Sequence, residues 1–397
     1  MDAASLRNRF TTRRKGFTQH NTVELVRGGS AYFERLASLM AAAKQSFHLQ
    51  VYIFEQDETG TSVINNLCAT AKRGVITRLL VDGYGSRQFP DSWREQLAAA
   101  GVQFRLFRPL FSSGDYYFGR RLHHKVAVAD GQAGLVGGRN ISDRYNDLPA
   151  QQAWLDWAVY VEGEAAHQLY AVCDEVFYRA NLRPGSPKRE NRQLPAWFKK
   201  GDVPVAVRRQ DWVRRQSGIL RSYLHMIYNA EREVFLLSSY FLPGTQARRA
   251  MAKAVARGVN VKVIIAGKSD VHIAKEAERY LYRWLLRNKV EVYEYLPQIL
   301  HGKIATADGI WATVGSFNLN MLSAYASIEL NLEIVDAQFA GSVATDIKAV
   351  IDKETRQVTA NEWRMQENWL RMFWQRVCYS SLRFFFFLFT FYYRRLS

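Results

Sequence analysis

The sequence predicts an α/β protein made of two similar lobes, each a mixed β-sheet flanked by helices, with a C-terminal tail of different character. Three observations carry that prediction. A strand, helix, strand pattern occurs twice. A set of polar residues recurs at one constant offset, 301 − 123 = 178 positions. A stretch rich in proline and charge separates the two copies.

Each element has a local reason. FHLQVYIF (Phe47 to Phe54) and VFLLSSYF (Val234 to Phe241) are short apolar runs ending in aromatic residues, the pattern of buried strands. Each is followed by a helical stretch that closes on a basic residue and glycine and then a β-branched strand: AKRGVITRLLVD (Ala71 to Asp82) and VARGVNVKVIIAG (Val255 to Gly267). Gly74 and Gly258 stand where a helix C-cap is expected. RPGSPKRENRQLPAWFKKGD (Arg183 to Asp202) lacks apolar periodicity and reads as a linker. The expected organisation is a first lobe over 1–200, a second over 201–360 and a tail over 361–397.

Composition bounds the partners. The 397 residues suffice for two domains or two halves of one, and 48% apolar with 23% charged residues excludes disorder. Lys and Arg outnumber Asp and Glu by 54 to 37, a formal charge of +17, so an anionic partner is expected, either nucleic acid or a lipid surface. Cys68, Cys173 and Cys378 show no C-x-x-C spacing, which indicates neither a zinc site nor a disulfide framework and suits a reducing, cytoplasmic setting. The basic N-terminus MDAASLRNRFTTRRKGF has no apolar run behind it, so neither a signal peptide nor an N-terminal membrane helix is expected.

The most specific signal is LHHKVAVADGQAGLVGGRN (Leu122 to Asn140) set beside HGKIATADGIWATVGSFN (His301 to Asn318). His123, Lys125, Asp130, Gly137 and Asn140 recur as His301, Lys303, Asp308, Gly315 and Asn318. Such a five-position match arises by chance at roughly 10⁻⁷ per window, so two in one chain mark a functional repeat. In a strand, residues i and i+2 share a face, so His and Lys of H-x-K project together. A hairpin would bring the glycine and asparagine back beside the histidine. Each half is therefore expected to present one His, one Lys and one Asn to a shared cleft.

Imidazole can attack phosphorus or protonate a departing oxygen, lysine neutralises non-bridging phosphoryl oxygens, and asparagine donates to them. Two histidines supply a covalent phosphohistidine and a general acid that becomes a general base. No metal-ligand cluster accompanies them, so no metal or other cofactor is expected and the lysines take the charge-neutralising role. His20, His48, His167, His225 and His272 read as structural or surface residues. The second copy, HGK, also identifies the reactive member of the pair in LHHK: His123 aligns with His301, and His124 takes the place of glycine and should face away from the cleft.

The duplicated H-x-K-x4-D-x6-G-x-x-N pattern resembles that of the phospholipase D superfamily, from about Asn21 to Glu333. YIFEQDETG (Tyr52 to Gly60), GGRNISDRY (Gly137 to Tyr145) and SSYFLPG (Ser238 to Gly244) make the chain most similar to the bacterial cardiolipin synthases, of the shorter B type without N-terminal membrane helices. The resemblance implies two α/β lobes about a pseudo-two-fold axis with the active site at their interface. It further implies His123 as nucleophile, His301 as acid/base, and a downstream acid behind each histidine, by position Asp156 and Glu329.

Asp130 and Asp308 belong to the catalytic motif, and their substitution is expected to abolish activity. Their place at a strand end before glycine nevertheless favours a structural turn that hydrogen-bonds its own backbone. The copies differ at Gly138 and Ser316, so a hydroxyl near phosphate is expected from the second half alone.

From Trp363 the chain reads WRMQENWLRMFWQRVCYSSLRFFFFLFTFYYRR, with Leu370, Phe373, Trp374 and Val377 on one helical face and Arg371 and Arg376 off it. The apolar run Phe384 to Tyr393 spans only ~15 Å as a helix, half of what crosses a bilayer, so an interfacial segment is expected. The resemblance to the cardiolipin synthases implies transfer of a phosphatidyl group between two phosphatidylglycerol molecules, giving cardiolipin and glycerol. The alternative is a phosphodiesterase, lipid hydrolase or nuclease, that admits water. The expected setting is peripheral, on the cytoplasmic side of the inner membrane. No nucleic-acid partner is expected, nor an oligomer for catalysis, because one chain carries both motifs.

Overall fold

The computed structural model describes residues 3–12, 14–107, 120–149, 151–179, 198–365 and 368–394. The linker proposed over Arg183 to Asp202 lies largely outside the described residues. The chain forms two compact units, here the first lobe (Gly16–Tyr117 and Arg121–Val207) and the second (Arg208–Ser397 with Met1–Lys15 and Phe118–Arg120). Both have the predicted α/β architecture, and they repeat one topology.

In the first lobe, strands Ser46–Val51, Ile76–Asp82 and Gln103–Phe107 run parallel. On the other side of Ser46–Val51 the sheet turns antiparallel, through Val126–Ala129, Ala133–Gly137, Trp157–Gly163 and Phe17–Arg27. The crossover helices Glu58–Lys72 and Asp91–Ala99 supply the βαβ connections that parallel strands need. Every residue of Ser46–Val51 is buried, as expected for a strand covered on both faces. Ile64, Leu67, Leu79 and Leu135 are 0% exposed in its core, each worth about 2 kcal/mol of apolar burial.

The second lobe repeats this order. Glu233–Ser238, Asn260–Ala266 and Glu291–Tyr295 are parallel. Lys303–Ala307, Trp311–Gly315 and Ser327–Val335 follow antiparallel from Glu233–Ser238. The helices Glu58–Lys72 and Thr245–Ala256 both end as predicted, with Gly74 at φ 88° and Gly258 at φ 91° just past the last turn.

Two boundaries differ from the sequence expectation. The lobes divide between Val207 and Arg208 instead of at 200, and the N-terminal helix Ala3–Thr11 packs with the second lobe instead of the first. Charge explains the second difference. Arg9 Nη2 lies 3.2 Å from Asp308, and Arg14 Nη2 lies 2.9 Å from Glu333, whose side chain is 0% exposed.

The tail is one helix, Trp369–Arg394, preceded by a short helix, Ala360–Met365. Its Cys378, Tyr379 and Leu382 pack on Ala277 and Leu281 of the helix His272–Arg287, and on Leu242. The opposite side leaves Trp369, Leu370, Phe373 and Trp374 more than half exposed. The tail thus has one face on the protein and one apolar face outward. No described helix is long and apolar enough to cross a membrane.

Candidate active site

Both motif strands end in the same turn. Asp130 and Gly131 have φ of 54° and 65°, and Asp308 and Gly309 have 55° and 66°. Two successive positive φ values define the mirror-image hairpin turn that Asp-Gly favours, and it folds Ala133–Gly137 and Trp311–Gly315 back along the motif strands.

The aspartate carboxylates do not bond their own turn, which corrects the sequence expectation. Asp130 accepts the backbone N–H groups of Lys44, Gln45 and Ser46 at 2.8, 2.8 and 2.7 Å. Asp308 accepts those of Glu231, Arg232 and Glu233 at 2.9, 2.9 and 3.0 Å. Each therefore clamps the start of the neighbouring parallel strand to the motif strand. They lie at the opposite strand end from the lysines, roughly 16 Å away for five extended residues. Both carboxylates thus hold backbone at that end of the strand.

At the other strand end the histidine and lysine come together. In the second lobe Lys303 Nζ is 2.9 Å from His301 Nδ1 and 3.0 Å from Nε2, and it also donates to the His301 carbonyl oxygen. In the first lobe Lys125 Nζ donates to the His123 carbonyl oxygen at 3.0 Å. The His123 ring stands edge-on to Tyr52 at 5.1 Å, and the Lys125 ammonium lies 5.3 Å from the same ring. Lys125 and Lys303 are 2% and 1% exposed, so neither is a solvated surface cation. His124 hydrogen-bonds Gln50 Oε1 through Nδ1 at 3.1 Å and is 0% exposed, a core residue.

The asparagines behave differently from each other. Asn140 Oδ1 accepts the Ile53 N–H at 3.1 Å and its Nδ2 donates to Tyr145 OH at 2.9 Å. The carboxamide thereby ties the Tyr52–Phe54 segment to Tyr145 within the lobe. Asn318 Oδ1 accepts from Ser238 Oγ at 3.3 Å.

Asp156 and Glu329 occupy matching positions, each two residues before the strand partner of the motif glycine, Ala158 opposite Gly137 and Asn331 opposite Gly315, and both are 0% exposed. Asp156 Oδ1 accepts the Trp157 N–H at 2.7 Å. Glu329 accepts Ser316 Oγ at 2.5 Å and Ser327 Oγ at 2.7 Å. The Ser316 hydroxyl also accepts the Leu330 N–H, so it ties the acid to the strand beside it. Gly138 has no room for such a hydroxyl, since a Cβ there would sit 2.5 Å from both Asp156 carboxylate oxygens. The Gly/Ser difference is thus matched by the Asp/Glu difference.

Several supports were not legible in the motif. Asp82, at the C-terminal end of its parallel strand, accepts the Tyr84 and Gly85 N–H groups and, at 2.9 Å, that of Leu122, one residue before His123. Burial raises its carboxyl above the usual range despite these bonds. Ser239 Oγ donates to the His301 carbonyl at 2.7 Å, and Glu278 accepts the Phe241 N–H at 3.0 Å. Burial raises the Glu278 carboxyl as well. An acid ending a parallel strand was the one available signal, for Asp82.

Known proteins resemble this chain in sequence and in fold. A family described as "Cardiolipin synthase, PLD-like domain" matches residues 36–171 and 223–351. Cardiolipin synthase B of Salmonella typhimurium is 35% identical over 357 residues, covering 86% of this chain and 83% of that protein. Cardiolipin synthase B of Escherichia coli K12 is 34% identical over 351 residues, covering 85% and 82%. Among solved structures, a phosphatidylserine synthase of Haemophilus influenzae superposes with a TM-score of 0.72 over 96% of this chain and 98% of that one; at 13% identity this is a likeness of fold.

Proposed function

The chain belongs to the phospholipase D superfamily, within its cardiolipin synthase group, and on that premise we propose that it makes cardiolipin from two molecules of phosphatidylglycerol. The observation that carries this reading is the duplicated pair of a histidine with a buried lysine, one pair in each lobe.

In the first step a His123 ring nitrogen attacks phosphorus, the bond from phosphorus to the glycerol oxygen breaks, and His301 gives that oxygen its proton. In the second, His301 takes the proton from the hydroxyl of another phosphatidylglycerol as that oxygen attacks, and the P–N bond breaks. Lys125 and Lys303 balance charge on the non-bridging oxygens. Asp156 and Glu329 back the histidines, with Ser316 holding Glu329 in place. Asp130 and Asp308 keep the motif strands in position.

The outward face of the tail supports action at a membrane surface. Trp369, Leu370, Phe373 and Trp374 are flanked by the exposed Arg371 and Arg376, a pairing suited to anionic headgroups above acyl chains. The setting we propose is peripheral, on the cytoplasmic face of the inner membrane. The test is mass analysis of the lipids that purified protein makes from phosphatidylglycerol vesicles. Cardiolipin with free glycerol is the expected result, and phosphatidic acid in its place identifies a hydrolase.

A further inference from the structure

Tyr52 directly follows the strand Ser46–Val51, as Ser239 follows Glu233–Ser238. Both residues bear on the histidine of their own lobe, by different means. Ser239 Oγ donates to the His301 backbone carbonyl at 2.7 Å, while Lys303 Nζ stands beside the His301 ring. Tyr52 acts on side chains. Its ring lies 5.1 Å from the His123 imidazole between centroids, with 63° between the planes, and the Lys125 ammonium is 5.3 Å from its centroid. One aromatic ring is thus the common neighbour of the histidine and the lysine of the first motif.

Core packing does not account for this ring. Tyr52 is half-buried, and with Glu55, Tyr84 and Arg87 it lines an open cleft of about 730 Å³. The ring is nevertheless fixed from behind. A Cβ on Gly85 would stand 2.3 Å from the Tyr52 carbonyl oxygen and 2.9 Å from ring atoms Cδ2 and Cε2, so the ring lies close against that glycine. Ser86 Oγ donates to the Tyr52 carbonyl oxygen at 3.0 Å and accepts the Phe54 N–H at 3.0 Å. Asp82 completes the arrangement: it accepts the N–H groups of Tyr84 and Gly85, which seat the ring, and that of Leu122, the residue before His123.

An aromatic ring does here what an aliphatic side chain of the same size does not. A cation within about 6 Å is drawn to the negative face of a ring, and two rings at this separation attract beyond the burial of their area. We infer that Tyr52 is the positioning residue of the first motif: its ring sets the distance between His123 and Lys125, so that imidazole and ammonium meet the same phosphodiester. The inference rests on the reading of His123 as the nucleophile and adds what holds it in place. It also gives the two histidines separate supports, a ring for one and a backbone hydrogen bond for the other.

Steady-state turnover of phosphatidylglycerol in mixed micelles tests it, with the melting temperature as control. Tyr52→Leu should lower kcat about tenfold or more with KM within about twofold, and the conservative Tyr52→Phe should restore most of that loss. Phenylalanine carrying one, two and then three ring fluorines at this position keeps the shape and weakens the negative face, so kcat should fall with each fluorine. Wild-type kcat in Tyr52→Leu overturns the inference, as does an effect on KM alone. Equal loss in Tyr52→Phe overturns it too, because the hydroxyl then carries the effect. If Tyr52→Leu does not fold, the fluorine series decides, and a kcat indifferent to fluorination is the overturning result. The contact itself is read without turnover, from the His123 ring resonances of histidine-labelled protein, identified by their loss in His123→Ala. They should move in Tyr52→Leu and hold in Tyr52→Phe; resonances that stay put in both overturn the inference. Phosphatidic acid in place of cardiolipin rejects the transfer reading alone, and the variants are then scored on that hydrolysis. With no lipid turned over at all, the resonances decide.

Discussion

Asp130 Oδ1 accepts the backbone N–H of Ser46 at 2.7 Å, although 84 residues separate them. With the Lys44 and Gln45 bonds this makes three hydrogen bonds to one carboxylate, each of the charge-assisted kind worth ~1.5–3 kcal/mol. Asp130→Ala should therefore lower stability by about 3 kcal/mol or more, and Asp308→Ala likewise, read from urea unfolding. Asp130→Asn tolerates the left-handed backbone but aims an NH₂ at an N–H, and should lose a similar amount. An Asn variant as stable as wild type yet inactive would show a chemical role that the geometry does not.

His123 and His124 should separate cleanly. His123 is partly exposed and packs on Tyr52, so His123→Ala should abolish transfer and leave the melting temperature within a few degrees. His124→Gly, which the motif alignment suggests is harmless, removes a 0% exposed side chain and the partner of Gln50 Oε1. It should cost about 3 kcal/mol and keep activity per folded molecule at low temperature. Thermal melts and activity at 15–20 °C, roughly where stability peaks, check both.

Gly138→Ser tests whether the lobes are interchangeable at this position. The new Cβ meets the Asp156 carboxylate at 2.5 Å, so the acid must move. Transfer should fall at least tenfold, whereas Ser316→Gly, which leaves Glu329 its Ser327 bond, should lose less. Steady-state rates of the two variants decide it.

Glu333 sets an acid limit. It accepts from Arg14, Arg208, Ser222 and Trp311, and although burial opposes ionisation, the two guanidinium groups hold its carboxyl below the ordinary 4.5. A depressed folded-state value means this contribution is present above about pH 4.5 and lost as pH falls through the folded value. Glu333→Gln should lose about 3–5 kcal/mol at pH 7, and the gap to wild type should narrow below pH 4.5. A gap constant from pH 7 to pH 3 in chemical unfolding would sink this account.

The tail face should matter for vesicles and not for folding. Replacing Trp369, Phe373 and Trp374 by serine leaves the packed face of Cys378, Tyr379 and Leu382 intact. Sedimentation with anionic vesicles should drop at least tenfold while the circular dichroism spectrum is kept. Undiminished sedimentation would move membrane contact elsewhere.

The repeated motif was legible because both copies carry the same local physics: alternation along a strand, an Asp-Gly turn and a return strand. The helix ends at Gly74 and Gly258 were legible for the same reason. What escaped depends on contacts distant in sequence. Nothing near Asp130 announces residues 44–46, and nothing near Asn140 announces Ile53 and Tyr145. The N-terminal segment joins the second lobe through Arg9 of its helix and Arg14 beyond it, charges that in sequence look like any basic leader. The tail's periodicity identified an apolar face but not the second face, because Gln375, Cys378 and Tyr379 do not look apolar enough to seek a partner.

The carboxylate clamps that fix the motif strands are themselves late products of folding. A bond between residues 46 and 130, or 233 and 308, closes only after the intervening helices and strands have docked. A nascent or partly unfolded lobe therefore carries the residues of the motif without their arrangement. On the proposed function, this ties the appearance of the reactive His123 to the completion of the lobe that holds it.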